Sequence, residues 1–125
     1  TAFNSRAVAA LQRSGFAVEG GIGVNPKYEV SSDLGKFYLV SFSKKYNHSE
    51  NPQKDFCAVM TCAEAAEACP IIFGADLRVK LLYLDPKSAD DTDYESTAYD
   101  ERCFQIATEM FYVMKQVQAE LWKTK

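Results

Sequence analysis

The chain has 125 residues, 47% hydrophobic and 25% charged, a composition suited to a single globular domain with a modest core. A net charge of −3 and a pI of about 5.1 give no general nucleic-acid footprint. No apolar run reaches membrane-spanning length and no signal-peptide pattern is present, so the expectation is a cytoplasmic protein with neither a nucleic-acid nor a membrane partner.

The chain opens on Thr1 rather than Met, directly into helix-like sequence, as a processed, trimmed or partial product would. Asn4 is a suitable N-cap for a helix over Ser5–Ser14, with Gly15 as its stop and Ala7, Val8 and Leu11 as a narrow apolar side. Gly20, Gly21 and Gly23 follow as a flexible turn. No Lys-Ser/Thr pair comes after them, so they do not make a phosphate-cradling loop. Tyr28–Val30 and Lys36–Phe42 read as a hairpin across Ser31–Gly35, its aromatics covering core in preference to a site or an interface. Ser43–Lys54 is polar and carries the sole histidine, His48, in a setting that favours an exposed loop histidine over a ligand or base. Together with Cys57 and Cys62 it lacks a usual zinc spacing, so no metal site is expected.

Asp55–Pro86 is the chemically informative stretch. Phe56–Thr61 is nearly continuously apolar, the mark of a strand buried on both faces. Cys62 and Cys69 bracket a short helical turn that ends at Pro70. Leu77–Leu84 reads as a second strand, closed by Asp85-Pro86. In α/β folds ligands gather at the carboxyl ends of strands, where Cys62 and Asp85 both fall. On a rigid helix Cys62 and Cys69 would lie about 10 Å apart along the axis, too far for a disulfide unless the turn unwinds. Cys57, within the strand, and Cys103 are expected to be core thiols.

From Asp85 to Arg102 seven acids (Asp85, Asp90, Asp91, Asp93, Glu95, Asp100, Glu101) face two bases. The register of a calcium loop is missing, so this connector reads as a solvated loop. Asp100–Lys123 then shows Cys103, Ile106, Ala107, Met110, Met114, Val117 and Leu121 at three- and four-residue steps, the pattern of a core-building amphipathic helix.

Thr61-Cys62, Cys69-Pro70 and Asp85-Pro86, in this order, resemble the C-terminal half of the low-molecular-weight protein tyrosine phosphatases and the thioredoxin-coupled arsenate reductases. Further blocks extend the resemblance over nearly the whole chain, toward bacterial proteins of this type: Ala2-Phe3-Asn4, Arg6–Leu11, Phe42–Tyr46, Ala58–Cys62, Tyr99–Arg102 and Met110–Val113.

The resemblance implies a partial, flavodoxin-like three-layer α/β fold over residues 1–125, a single incomplete domain that lacks its first two strands and carries the hairpin as an insertion. It makes Asp85 the general acid, with Pro86 fixing its loop, and makes Cys62 and Cys69 the resolving thiols if the parent is a reductase with thioredoxin as its partner. It implies no cofactor. The residues after Asp85-Pro86 wall the cleft in this family, which places Tyr94 or Tyr99 near it. The family's nucleophile lies in a Cys-x5-Arg loop. Six residues after Cys57, Cys62, Cys69 and Cys103 stand Ala63, Ala68, Ala75 and Glu109, so none of the four fits that loop. The expectation is a chain that is inactive alone. It would bind an N-terminal half carrying Cys-x5-Arg, or associate with itself through the unpaired edge of Phe56–Thr61. The alternative is a non-catalytic half-domain that self-associates or binds a partner. Phosphate monoester and arsenate are not distinguished by these residues.

Overall fold

The computed structural model describes residues 2–32, 38–63, 67 and 71–123. Among the described residues it is mixed α/β, with a small antiparallel sheet, a parallel strand pair and two helices, Ser5–Arg13 and Glu95–Lys123. The elements are α1 (Ser5–Arg13), β1 (Ala17–Gly20), β2 (Tyr28–Ser31), β3 (Tyr38–Ser41), β4 (Phe56–Met60), β5 (Ala75–Lys80), a 3-10 turn (Pro86–Ala89) and α2 (Glu95–Lys123). They fall into two compact units, Thr1–Phe42 with Ala89–Lys125, and Ser43–Ser88.

In the first unit, α1 starts and stops where its local chemistry dictates. The Asn4 side chain accepts a hydrogen bond from the Arg6 N–H at 2.8 Å, satisfying one of the unpaired donors of the first turn. At the other end the Gly15 N–H donates to the Gln12 carbonyl and the Phe16 N–H to that of Leu11, a Schellman closure with Gly15 at φ 94°. The buried side is Val8 and Ala10, with Leu11 half-buried. The Asn4 amide also donates to the Tyr99 hydroxyl at 3.3 Å, tying the cap to α2. Asn4→Ala is expected to lose about 1 kcal/mol of stability through the cap alone. Asn4→Ser restores the cap but not the bond to Tyr99, so the gap in thermal midpoint between the two variants isolates the cap.

The expected hairpin is β2 and β3, antiparallel with Tyr28 opposite Ser41 and Ser31 opposite Tyr38; residues 33–37 of its connection lie outside the described residues. A third strand, β1, pairs antiparallel with β2 from Ala17 opposite Ser31 to Gly20 opposite Tyr28. Sequence reading assigns no strand there, because four residues with a single β-branched side chain carry no usable alternation. The Phe3 ring meets Tyr28 edge-on at 5.6 Å, and Lys27 Nζ sits 4.5 Å from the centre of the Phe42 ring.

Two expectations for the C-terminal region need correction. The acidic connector is not a loop throughout, since residues 86–89 form a 3-10 turn and α2 begins at Glu95 rather than Asp100. Its first turn, Glu95-Ser96-Thr97-Ala98, has no apolar periodicity to announce it. Nor is α2 core-building along its length. Tyr99 is its one buried residue among those described, and every residue from Phe111 to Lys123 is exposed, Trp122 at 70%. Length explains this: nine residues of α1 span about 14 Å and 29 residues of α2 about 44 Å. α1 can therefore cover only the start of α2.

In the second unit β4 and β5 are parallel, with Cys57 opposite Leu77 and Met60 opposite Lys80. Parallel pairing needs a crossover of about a dozen residues or more, and residues 61–74 supply it. Regular strand ends at Lys80, not at Leu84. The ladder nevertheless continues, as the Leu81 N–H donates to the Met60 carbonyl and the Tyr83 N–H to that of Thr61, both at 3.0 Å. The strand is not buried on both faces. Met60 is buried, but Val59 is 42% exposed and Cys57 is exposed, so Cys57 is not a core thiol. A two-stranded pair has one hydrogen-bonded neighbour per strand and too little apolar surface of its own to enclose either face. Cys103, on α2, is half-buried, its Sγ 3.4 Å from the Ser14 hydroxyl.

Candidate functional site

The carboxyl ends of β4 and β5 hold the residues singled out from sequence. Because Tyr83 donates to the Thr61 carbonyl, the two chains leave the ladder side by side. Cys62 follows Thr61 immediately and is half-buried. Asp85 follows Tyr83 by two residues and leads into the 3-10 turn Pro86–Ala89. Its Oδ1 accepts the Lys87 N–H at 3.0 Å and its Oδ2 lies 3.7 Å from Lys87 Nζ. The Ser88 hydroxyl donates to the Asp85 carbonyl at 3.3 Å. Pro86 suits the start of this turn because its φ is already set and no N–H is needed there. The side chain of Asp85 remains 56% exposed, so the carboxyl group is oriented by its own loop yet open to an incoming molecule.

Cys69 and Pro70 lie outside the described residues, and with them the separation of Cys62 from Cys69. His48 lies in a loop as expected but is half-buried rather than exposed, its Nδ1 accepting the Glu50 N–H at 3.2 Å. Among the described residues no three His, Cys, Asp or Glu side chains converge to hold a metal ion. None of the described helices is long and apolar enough to cross a membrane.

A second constellation, in the first unit, went unforeseen. Arg6 on α1 points its guanidinium at three carboxylates: Nε is 2.7 Å from Glu95, Nη2 2.8 Å from Asp91 and Nη1 3.6 Å from Asp90. The Tyr99 hydroxyl donates to Asp90 at 3.0 Å while accepting from Asn4. One α-helical heptad on from Arg6, Arg13 grips Asp100, Nε at 2.9 Å from both oxygens and Nη2 at 2.6 Å from Oδ1. Between these clamps lies a cavity of about 150 Å³ lined by Ser5, Arg6, Ala9, Arg13, Glu95, Ser96 and Tyr99. Asp91 sits in the left-handed region at φ 61°, a conformation Asp tolerates, and the Arg6 contact helps to hold it there. The usable signal was the pairing of two arginines seven apart on one short helix with the acid run at 90–100. Tyr99 is thus part of the core of this unit, and its hydroxyl is engaged on both sides. Both arginines are likewise engaged by carboxylates, so the cluster reads as a clasp joining α1 to the start of α2.

The clasp and the neighbouring Tyr94–Glu101 bond contribute to the pH response. The Glu95 carboxyl is held below its ordinary range by hydrogen bonds from the Asp91 N–H and from Arg6, and that of Asp100 by Arg13. Burial first, then the bond to Asp90, pushes the Tyr99 phenol up; the bond to Glu101 does the same for Tyr94. For the carboxyls the folded value is the lower one. Their contribution is present above the unfolded range near pH 4 and is lost as pH falls through the folded values. For the phenols the folded value is the higher one. Their contribution is complete below about pH 10 and disappears as pH rises through the folded values. Thermal midpoints should therefore fall at both extremes. Arg13→Ala should flatten the acid limb and Tyr99→Phe the alkaline one; unchanged limbs in those variants would remove the clasp from the account.

No protein-family model matches the chain, no curated protein matches it, and no solved structure matches it.

Proposed function

We propose that this chain supplies the general acid and the resolving thiols of a low-molecular-weight phosphatase-like or arsenate reductase-like enzyme, whose cysteine nucleophile stands on a segment outside these 125 residues. The observation that carries the reading is the extended β4–β5 ladder. By running on to Tyr83 it sets Cys62 and the Asp85-Pro86 turn at adjoining carboxyl ends, where α/β folds bind ligands. In the phosphatase version the thiolate of the Cys-x5-Arg loop attacks phosphorus, the ester P–O bond breaks, and Asp85 gives its proton to the departing oxygen. The Asp85 carboxylate then takes a proton from the water that attacks the phosphocysteine, which releases inorganic phosphate and regenerates the thiolate. In the reductase version the nucleophile's thiolate displaces water from arsenate. Cys62 then attacks that sulfur, the S–As bond breaks and its electron pair leaves on arsenic as arsenite, As(V) becoming As(III). Cys69 attacks the Cys62 sulfur, freeing the nucleophile and leaving a Cys62–Cys69 disulfide that thioredoxin reduces. The cellular setting proposed for either version is the cytoplasm.

A denaturing intact-mass spectrum of the purified sample, paired with a phosphate-ester assay, tests the proposal. A second polypeptide bearing Cys-x5-Arg, or a longer parent chain, together with activity, supports it. Turnover by a verified single 14.0 kDa chain would overturn the argument that the nucleophile lies elsewhere. A second reading, a non-catalytic half-domain that pairs with itself or a partner through β4, draws on the exposure of Cys57 and Val59. It is favoured by a lone species that sediments as a discrete oligomer and is dispersed by Val59→Lys, a charge being a standard guard on an edge strand.

A further inference from the structure

We draw no further inference here: the strongest candidate, the exposed apolar stripe of α2 running from Ile106 through Val113 to Val117, is a helix face and nothing among the described residues shows what covers it.

Discussion

Asp85→Asn is expected to lower turnover of phosphate esters about 10²- to 10⁴-fold once the chain is assembled with a polypeptide that carries Cys-x5-Arg, the range associated with loss of a positioned proton donor. Asn is the informative replacement. Its side-chain oxygen can still accept the Lys87 N–H that orients Asp85 at 3.0 Å, so the turn into Pro86–Ala89 is kept while the transferable proton is removed. With the side chain 56% exposed, stability should change little, and matching melting curves would establish that any loss is chemical. Leaving-group dependence separates this role from a binding role. An alkyl phosphate departs as a strong base and needs the proton, whereas a nitrophenyl phosphate departs as a weak base and needs it less. The loss in the first, phosphoryl-transfer step should therefore be much larger for the alkyl ester, with KM nearly unchanged. Equal losses for both esters, or a rise in KM alone, would place Asp85 outside the chemistry.

The second large effect is structural. Gly74, at φ 84°, lies in the turn that delivers the chain into β5, and a Cβ added there would sit on the carbonyl oxygen of Gln53 while touching the Phe56 ring. Gly74→Ala thus combines a left-handed backbone, costing about 1–2 kcal/mol for an L-residue, with a collision against backbone that has no rotamer to yield. A destabilisation of about 3 kcal/mol or more is expected, above the 0.5–3 kcal/mol common for point changes. Gly15→Ala is the control, because its φ of 94° is equally left-handed but a Cβ would meet nothing within 4 Å. It should cost only the backbone part. Hydrogen exchange locates the two losses: Gly74→Ala should strip protection from the amides of β4 and β5, and Gly15→Ala from the last turn of α1. Equal losses in the two variants would mean that the Gln53 carbonyl moves aside at little cost.

The parts legible in the amino-acid sequence were those written in short-range chemistry. Asn4 and Gly15 bound a helix because a side-chain oxygen at one end and a left-handed glycine at the other satisfy the backbone groups that helix geometry leaves open. Phe56–Met60 is a strand, and Asp85-Pro86 opens a turn, because an apolar run and a proline constrain their own backbone. The pairing of β2 with β3 followed likewise from two neighbouring strand-like runs.

Burial was read less well, and for one reason. A period of apolar residues states which side of an element avoids water, but not whether anything is there to cover it. Met110, Met114, Val117 and Leu121 lie on a helix as expected, yet α1 ends long before it can reach the distal half of α2. Cys57 lies on a strand as expected, yet among the described residues β5 is the one strand paired with β4, and the thiol is exposed. The partners within the Arg6 and Arg13 clasp were not legible for the complementary reason. Its pairs are separated by 84 to 89 positions, and no local pattern specifies which of many acids two arginines will meet. The sequence by itself determined most of the helices and strands, β1 and the first turn of α2 excepted, and which side chains follow the ends of β4 and β5. Only the tertiary structure decided which apolar faces are covered and which charges are joined, because both depend on contacts between residues far apart in the chain.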